Sequence, residues 1–176
     1  MSGARGTEAF LAVGSNIDPE DNVVAALEML AAETTVTGVS TFYRTPPLAR
    51  PEQDCYVNGI WRIVTPLGAR DLKFSLLRAV ERRLGRVRTP DAHAPRTIDL
   101  DIALFGDEVI DETDLRVPDP GIVERPFLAV PLLELAPQLR LPGTGVRLAD
   151  QPVSHRTSDL EAMPALTIRL REVIRR

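Results

Sequence analysis

Several short runs are either wholly apolar or alternate apolar and polar residues with a period of two, patterns that predict β-strands. These runs lie at 9–13, 36–43, 58–65, 99–104 and 139–141. The first strand is expected to end in a turn at Gly14-Ser15-Asn16, and Val109-Ile110 is expected to pair as a hairpin with the 99–104 strand. Another alternating run, Leu166–Leu170, predicts an added edge strand near the C-terminus.

A period of about 3.6 residues predicts three helices. The first begins at Pro19, with Asp18 as its N-cap. Its buried stripe consists of Val23, Leu27 and Leu30. The second spans 69–84 and ends at Gly85 as a C-terminal cap. It places an apolar residue at every fourth position, Leu72, Leu76, Val80 and Leu84. A short third helix is expected over 127–135.

The predicted order of elements is β-α-β-β-α-β-β-α-β, in which strands and helices are mixed without strict alternation. This order favours an α+β fold, a ferredoxin-like two-layer α/β sandwich with a mainly antiparallel sheet. With 176 residues, the chain is expected to form a single domain over 1–176. Its core is expected at about 9–145, followed by a polar C-terminal extension over 150–176.

The strand at 99–104 carries the first chemical signal. Asp99 and Asp101 alternate with Leu100, Ile102 and Leu104, so both carboxylates project from one face, with Cα atoms about 6.6 Å apart. Carboxylates this close repel each other unless a cation lies between them, and hard oxygen ligands suit Mg²⁺. The alternative is the solvated outer face of a strand, where an Asp-x-Asp pattern is common.

Charge adds to this signal. Between 78 and 96 there are six arginines and two acidic residues, a net charge of +4 on a chain whose total is −4. A basic segment on an acidic chain indicates a bound anion, although arginines also form surface ion pairs. Arginine stays charged, and its fork matches phosphate oxygens. Beside paired aspartates, these arginines predict a site for a nucleoside triphosphate.

A proline-rich loop at 45–51 predicts a second feature, a slot for a flat heterocycle. Prolines stiffen this loop, and it lies near Tyr43, Tyr56 and Asn58, whose aromatic and amide groups suit a hydrogen-bonding ring. A rigid connector without a ligand is the alternative. The chain has neither a G-x-G-x-x-G nor a Walker motif, so the common nucleotide-binding folds are not supported.

Composition narrows the range of functions. A single Cys55 excludes an internal disulfide or a cysteine metal cluster, and two histidines argue against a multi-histidine zinc site. No apolar stretch approaches membrane-spanning length, and the N-terminus lacks the apolar core of a signal peptide, so cytoplasmic residence is predicted. The isoelectric point near 5.3 argues against nucleic acid as a partner. A monomer that binds no membrane is expected.

Six segments together resemble the 6-hydroxymethyl-7,8-dihydropterin pyrophosphokinases in order and spacing. They are Ala12-Val13-Gly14-Ser15-Asn16, Phe42-Tyr43-Arg44-Thr45-Pro46-Pro47-Leu48, Tyr56-Val57-Asn58, Gly85-Arg86-Val87-Arg88, Pro95-Arg96-Thr97-Ile98-Asp99-Leu100-Asp101 and Glu124-Arg125-Pro126-Phe127. The resemblance covers about residues 10–143. It implies transfer of the β,γ-pyrophosphate of ATP to the hydroxymethyl group of a dihydropterin, a step of folate synthesis that releases AMP.

The same resemblance implies a role for each matching residue. Asp99 and Asp101 would bind two Mg²⁺ ions that bridge the phosphates. Arg86 and Arg96 would be catalytic, stabilising charge on the transferred group. The ATP-binding residues would be Glu81, Arg88, Ile102 and Arg125. The pterin-binding residues would be Thr45, Pro46, Leu48, Tyr56, Asn58 and Phe127, with Phe127 stacking on the ring.

The chain departs from the family pattern at a few positions. Asp119 stands where the family usually has a histidine that assists ATP binding. A carboxylate cannot donate to phosphate at neutral pH and repels it, which bears on ATP affinity rather than on the chemistry. Arg78 is a candidate to offset Asp119. His93-Ala94 replaces a common tryptophan in the loop before Pro95.

Two functions of other classes stay open at this point. A Mg²⁺-dependent phosphohydrolase would use the same aspartates and arginines and would release phosphate from ATP without a pterin. A non-catalytic nucleotide-binding module would bind ATP and turn nothing over, and Asp119 mildly favours this possibility.

Overall fold

The candidate site lies on one antiparallel sheet of six strands in the computed structural model, which describes residues 6–48 and 50–176. The strands are β1 (Thr7–Ser15), β2 (Thr35–Val39), β3 (Tyr43–Thr45), β4 (Tyr56–Thr65), β5 (Asp99–Phe105) and, near the C-terminus, β8 (Glu161–Ala162). Their order is β5-β1-β4-β3-β8, and β2 also pairs with β4. A separate pair consists of β6 (Ile110–Asp111) and β7 (Arg116–Val117). The predicted α+β class is confirmed.

Five α-helical segments accompany the sheet within the described ranges. They are α1 (Pro19–Ala31), α2 (Ala69–Asp71), α3 (Arg78–Arg83), α4 (Pro126–Leu135) and α5 (Pro164–Val173). A π-helical turn, Leu72–Leu77, joins α2 to α3 without a break. Short 3-10 turns occupy Pro120–Val123, Leu148–Asp150 and Pro152–His155. None of the helices described is long and apolar enough to cross a membrane.

Both faces of the two central strands are buried. Phe10 and Ile60 belong to a core cluster with α4, whereas their neighbours Leu11 and Trp61 belong to a cluster with α1 and α5. Since successive side chains of a strand point to opposite faces, α4 covers the face that the other helices leave open. This double burial explains the nearly continuous apolar sequence of β1 and β4.

Strand predictions fail where local geometry interrupts simple alternation. Gly14 and Ser15 still pair with β4, so the turn expected at 14–16 starts later. The predicted strand 36–43 is divided into β2 and β3. A register shift between β1 and β5 leaves Ala103 unpaired, which turns Leu104 into the α4 cluster instead of the face that Ile102 occupies.

Three other predictions are wrong because tertiary packing decides between competing patterns. Ile110 pairs with Val117 rather than with β5, so the predicted hairpin does not form. The run 139–141 makes only an isolated bridge, between Arg140 and Arg147. The run Leu166–Leu170 is helical, within α5, because spacing of four residues lets its two leucines pack together into the core beside α1.

Candidate active site

Two half-exposed aspartates on β5 form one side of the candidate site. The side chains of Asp99 and Asp101 are 37% and 46% exposed, and the apolar residues that alternate with them are buried. The predicted alternation is confirmed here. Gly14 of β1 pairs with Asp99, and a Cβ at this glycine would come within 3.0 Å of the Asn58 side chain. Glycine therefore keeps the space between Asp99 and Asn58 open.

The Asp99 carboxylate lies between two guanidinium groups. Its Oδ2 accepts a hydrogen bond from Arg96 Nη1 at 2.7 Å, and its Oδ1 lies 3.7 Å from Arg86 Nη2. Burial acts to lower the pKa of Arg96, but Asp99 and Tyr56 together outweigh it and raise that pKa. At Arg86 burial dominates and lowers the pKa. Arg86 Nε has no hydrogen-bond partner among the described residues. The cluster therefore carries positive charge that an anion would neutralise.

Local sequence positions both arginines. Helix α3 ends in a Schellman motif, in which Gly85 has a φ of 75° and its N–H and that of Arg86 donate to carbonyl groups of the last turn, the latter to Glu81. On the other side of the site, Asn16 Oδ1 accepts a hydrogen bond from the Arg96 N–H at 2.8 Å. The helix end and the Asn16 contact thus direct the two arginines to β5.

Glu81 is a buried carboxylate that joins α3 to β5. It is 1% exposed, its Oε1 accepts a hydrogen bond from the Leu100 N–H at 2.9 Å, and its Oε2 pairs with Arg88. Burial raises the pKa of Glu81, although the Leu100 hydrogen bond opposes that rise. These contacts describe a structural brace, and Glu81 lines none of the cavities described below.

Asp101 faces a lysine that sequence reasoning missed. Lys73 Nζ lies 3.0 Å from Asp101 Oδ1, because the π-helical turn brings this residue towards β5. Burial raises the pKa of the nearby Asp119, and the Asp101 carboxylate adds to that rise while Lys73 opposes it. Arg78, the expected counterpart of Asp119, instead stacks on the Phe74 ring at 4.3 Å.

A cavity of about 260 Å³ lies beside Asp99. All six residues expected to bind pterin line it, namely Thr45, Pro46, Leu48, Tyr56, Asn58 and Phe127. Asn58 Nδ2 donates a hydrogen bond to Thr45 Oγ1 at 2.7 Å, which joins the two strands that form the cavity floor. The lining also includes residues to which no pterin-binding role was assigned from the sequence, Gly14, Arg50, Gln53, Ala92 and His93.

A second, polar cavity of about 280 Å³ adjoins the first. Its charged lining consists of Arg86, Arg88, Arg96, Asp91 and Asp99. Both cavities share Ala92, Arg96 and Asp99. A ring bound in the first cavity and a polyanion bound in the second would therefore meet at Arg96 and Asp99.

Two loops contact each other beside these cavities. The first, 46–55, joins β3 to β4, and the second, 84–98, joins α3 to β5. Arg50 Nη2 lies 2.6 Å from Asp91 Oδ2, and Gln53 Nε2 donates to the His93 carbonyl at 2.8 Å. Both loops contribute to the first cavity. Ala49, in the first loop, lies outside the described residues.

Like Glu81, two more of the predicted ATP-binding residues do not line the second cavity. Ile102 is 1% exposed, and its N–H donates to Asp101 Oδ1 at 2.8 Å, so its side chain belongs to the core. Arg125 lines the first cavity together with Phe127, rather than the second cavity with Arg88. The alternation along β5 already indicates a buried Ile102, whereas the location of Arg125 depends on how α4 packs.

Metal binding would depend on Asp99 and Asp101. No group of three or more His, Cys, Asp or Glu side chains arranged to hold an ion occurs in the part of the chain that the structure describes. Asp99 lines the polar cavity, and Asp101 lies two residues further along β5. Both half-exposed carboxylates offer the hard oxygen donors that Mg²⁺ accepts together with water and substrate phosphates. The donor set therefore fits Mg²⁺.

Paired carboxylates, converging arginines and an adjoining slot for a ring are together what an enzyme of the phosphoryl-transfer class needs to act on a heterocyclic substrate. Residues 10–137 match the family model described as 7,8-dihydro-6-hydroxymethylpterin-pyrophosphokinase (HPPK). The chain therefore belongs to the HPPK family.

Curated relatives carry the same description. The chain is 40% identical over 136 residues to a 2-amino-4-hydroxy-6-hydroxymethyldihydropteridine pyrophosphokinase of Pseudomonas aeruginosa, covering 76% of this chain and 83% of the relative. Another enzyme of that name, from Bacillus subtilis, is 37% identical over 149 residues, covering 82% of this chain and 87% of the relative.

A solved structure shares the fold. It is titled "Crystal Structure Analysis of the HPPK-DHPS in complex with substrates" and matches with a TM-score of 0.58 at 12% identity. The match covers 85% of this chain and 43% of the other chain. At this identity the similarity concerns the fold alone.

Proposed function

We propose that the chain transfers the β,γ-pyrophosphate of ATP to the hydroxymethyl group of 6-hydroxymethyl-7,8-dihydropterin in folate biosynthesis, releasing AMP. The observation that carries this proposal is the pair of joined cavities that share Arg96 and Asp99, one with aromatic and amide groups and the other with arginines. A phosphohydrolase would not need the first cavity, and family membership argues against a decayed binding module.

The pterin occupies the first cavity in this proposal. Phe127 and Tyr56 provide ring faces, and Asn58 with Thr45 provides amide and hydroxyl groups for the edge of the heterocycle. Pro46 and Leu48 close the apolar side. Such a slot orients the hydroxymethyl group towards Asp99 and Arg96, where the two cavities meet.

The family uses ATP, typically with Mg²⁺. We assign Asp99 and Asp101 as the protein ligands of two such ions, which would neutralise phosphate charge and orient the triphosphate. Arg96 and Lys73, which pair with these aspartates here, are then free to contact phosphate oxygens. Arg88 contributes further positive charge at the far side of the second cavity.

The proposed transfer reaction is an in-line displacement at the β-phosphorus of ATP. The hydroxymethyl oxygen forms a bond to the β-phosphorus, and the bond from that phosphorus to the α,β-bridging oxygen breaks, so AMP leaves with that oxygen. The hydroxyl proton passes to solvent, and no side chain is assigned as general base. Arg86 and Arg96 stabilise the charge that spreads over the transferred group, the main requirement of phosphoryl transfer.

In this assignment, Lys73 rather than Arg78 compensates the negative charge of Asp119. Its Nζ lies next to Asp101, while Arg78 is engaged with the Phe74 ring. A cation at Lys73 reduces the repulsion that the Asp119 carboxylate exerts on ATP.

We further assign the fold to the ferredoxin-like α/β sandwich. Strands β5, β1 and β4 follow the order of that topology, with β2 and β3 each paired to β4, and α4 is added on the second face. We likewise propose that the chain forms a single domain in which 150–176 packs on the core. Monomeric state and cytoplasmic residence stay predictions from the sequence.

Release of AMP from ATP tests the function directly. Wild-type protein with Mg²⁺ should release AMP only when 6-hydroxymethyl-7,8-dihydropterin is present. Asp101→Asn should lower the turnover at least about 100-fold if it removes a metal ligand, while Asp111→Asn, at a carboxylate 84% exposed on β6, should match wild type. Phosphate release without pterin would instead establish a hydrolase, and binding without turnover would establish a binding module.

A further inference from the structure

The C-terminal segment 160–170 lies outside the residues that match the family model, yet it contacts the strand that carries the pterin slot. β8 pairs antiparallel with β3, with Arg44 opposite Glu161, and the next step of this register brings Leu160 beside Thr45. Leu160 and Thr45 line a small cavity of about 120 Å³ together with Phe127. The segment thus lies next to Thr45 and Phe127, two residues that also line the slot.

The main chain of Phe42 is held on both sides by this segment. Its carbonyl accepts a hydrogen bond from the Met163 N–H at 2.8 Å, and its N–H donates to Thr167 Oγ1 at 3.0 Å. The Thr167 hydroxyl in turn donates to the Met163 carbonyl at 2.9 Å. Thr167 is 4% exposed, so these bonds form away from water.

Phe42 transmits this position to the slot. It directly precedes β3, and Asn58, which bonds to Thr45 of β3, lies on β4 opposite Tyr43. The Phe42 ring packs against Gly59, where an added Cβ would lie 2.5 Å from the ring. A shift of Phe42 would therefore move both strands that supply the pterin-binding groups.

We infer that Thr167 is a positioning residue for the pterin slot, acting through Phe42. Its hydroxyl is the only part of the side chain that both accepts from Phe42 and donates to Met163, so the role belongs to the hydroxyl rather than to the bulk of the side chain. The inference rests on the assignment of pterin to the cavity that Thr45 and Asn58 line.

The chain offers matched variants for a test. Thr167→Val keeps the shape of the side chain and removes the hydroxyl, while Thr167→Ser keeps the hydroxyl. Leu141→Ala weakens the core at a residue that lines none of the three cavities, and so controls for general destabilisation. Affinities for 6-hydroxymethyl-7,8-dihydropterin and for a non-hydrolysable ATP analogue with Mg²⁺ are measured separately by calorimetry on the full chain.

Thr167→Val should raise the Kd for the pterin about tenfold, if the variant holds the slot in its binding conformation only about a tenth of the time. The Kd for the ATP analogue should stay within about twofold of wild type. Thr167→Ser and Leu141→Ala should keep wild-type pterin affinity. An unchanged pterin Kd in Thr167→Val, or equal weakening of both ligands, would overturn the positioning role. Failure of the wild-type protein to bind pterin would instead refute the assignment of the slot.

If Thr167→Val does not fold, Thr167→Ala and Thr167→Ser are compared in the same way. Weakened pterin binding by the alanine variant, restored by serine, supports the inference, and equal affinities contradict it.

Discussion

Glu81 illustrates how one buried carboxylate organises the site, although it lines none of the three cavities. Its carboxylate accepts a hydrogen bond from the Leu100 N–H and pairs with Arg88. It therefore holds the start of β5 against α3. The family resemblance implied that Glu81 contacts ATP. Its burial depends on the packing of α3, which spacing along the chain does not reveal.

The raised pKa of Glu81 predicts a specific dependence of stability on pH. A carboxyl whose pKa in the folded state lies above its ordinary value of 4.5 stabilises the fold fully below pH 4.5. That contribution is lost as pH rises through the folded-state pKa. The Glu81→Gln variant has no titrating carboxyl at this position. The stability of wild type relative to this variant, as the difference in free energy of unfolding, should therefore fall as pH rises above about 4.5. Up to the pKa of the folded state, the fall should be roughly 1.4 kcal/mol per pH unit.

Urea unfolding of both proteins between pH 4 and pH 7 measures this difference. Glu33→Gln, at an exposed position, controls for the loss of one carboxyl. A difference that stays constant or grows with pH would show that the Leu100 and Arg88 contacts outweigh burial.

Other residues of the site differ in how far the sequence predicts them. The alternation of aspartate with buried residues on β5 depends only on strand geometry, so Asp99 and Asp101 could be recognised from the pattern. Lys73 could not, because its contact with Asp101 depends on a helical irregularity. Leu104 was misassigned since a single unpaired residue reverses the faces that follow it.

At the scale of elements, the helix between Ala69 and Arg83 shows what periodicity misses. Apolar residues four apart indicate a regular α-helix with Leu76 towards the core. The π-helical turn uses a bond from each residue to the one five along, so Leu77 comes beneath Leu72 and is fully buried, while Leu76 is partly exposed. The same turn brings Lys73 to the site.

Alanine substitution at these two leucines separates the alternatives. Leu77→Ala should lower the free energy of unfolding by about 2–5 kcal/mol, and Leu76→Ala should cost clearly less, because less of its surface is buried. Chemical unfolding with a common m-value measures both. A larger loss from Leu76→Ala would indicate a regular α-helix in place of the π-helical turn.

At the scale of the whole molecule, the C-terminal segment was expected to be a polar extension. Instead, Leu166 and Leu170 complete the core beside α1, and β8 extends the sheet beyond β3. The alternating run at 166–170 satisfies both a strand and a helix period, and only the presence of α1 as a packing partner selects the helix. Long-range packing of this kind is invisible to a local pattern.

Leu170→Ala tests whether this segment and the sheet unfold together. A single cooperative unit predicts a loss of about 2–5 kcal/mol, seen equally by the fluorescence of the buried Trp61 and by far-ultraviolet circular dichroism. Ile168→Ala, at a neighbouring residue 58% exposed, should stay within about 0.5 kcal/mol of wild type. If Leu170→Ala left the unfolding transition seen by Trp61 fluorescence unchanged, the C-terminal segment would unfold independently of the sheet.

One crystal structure tests the assignment of ring and triphosphate to the two joined cavities most directly. It is the structure of the protein with Mg²⁺, a non-hydrolysable ATP analogue and 6-hydroxymethyl-7,8-dihydropterin. We expect the pterin ring between Tyr56 and Phe127, metal coordinated by Asp99 and Asp101, and Arg96 turned from Asp99 to a phosphate oxygen. Aspartates still paired with Arg96 and Lys73, with the metal and triphosphate bound elsewhere, would contradict the proposed site.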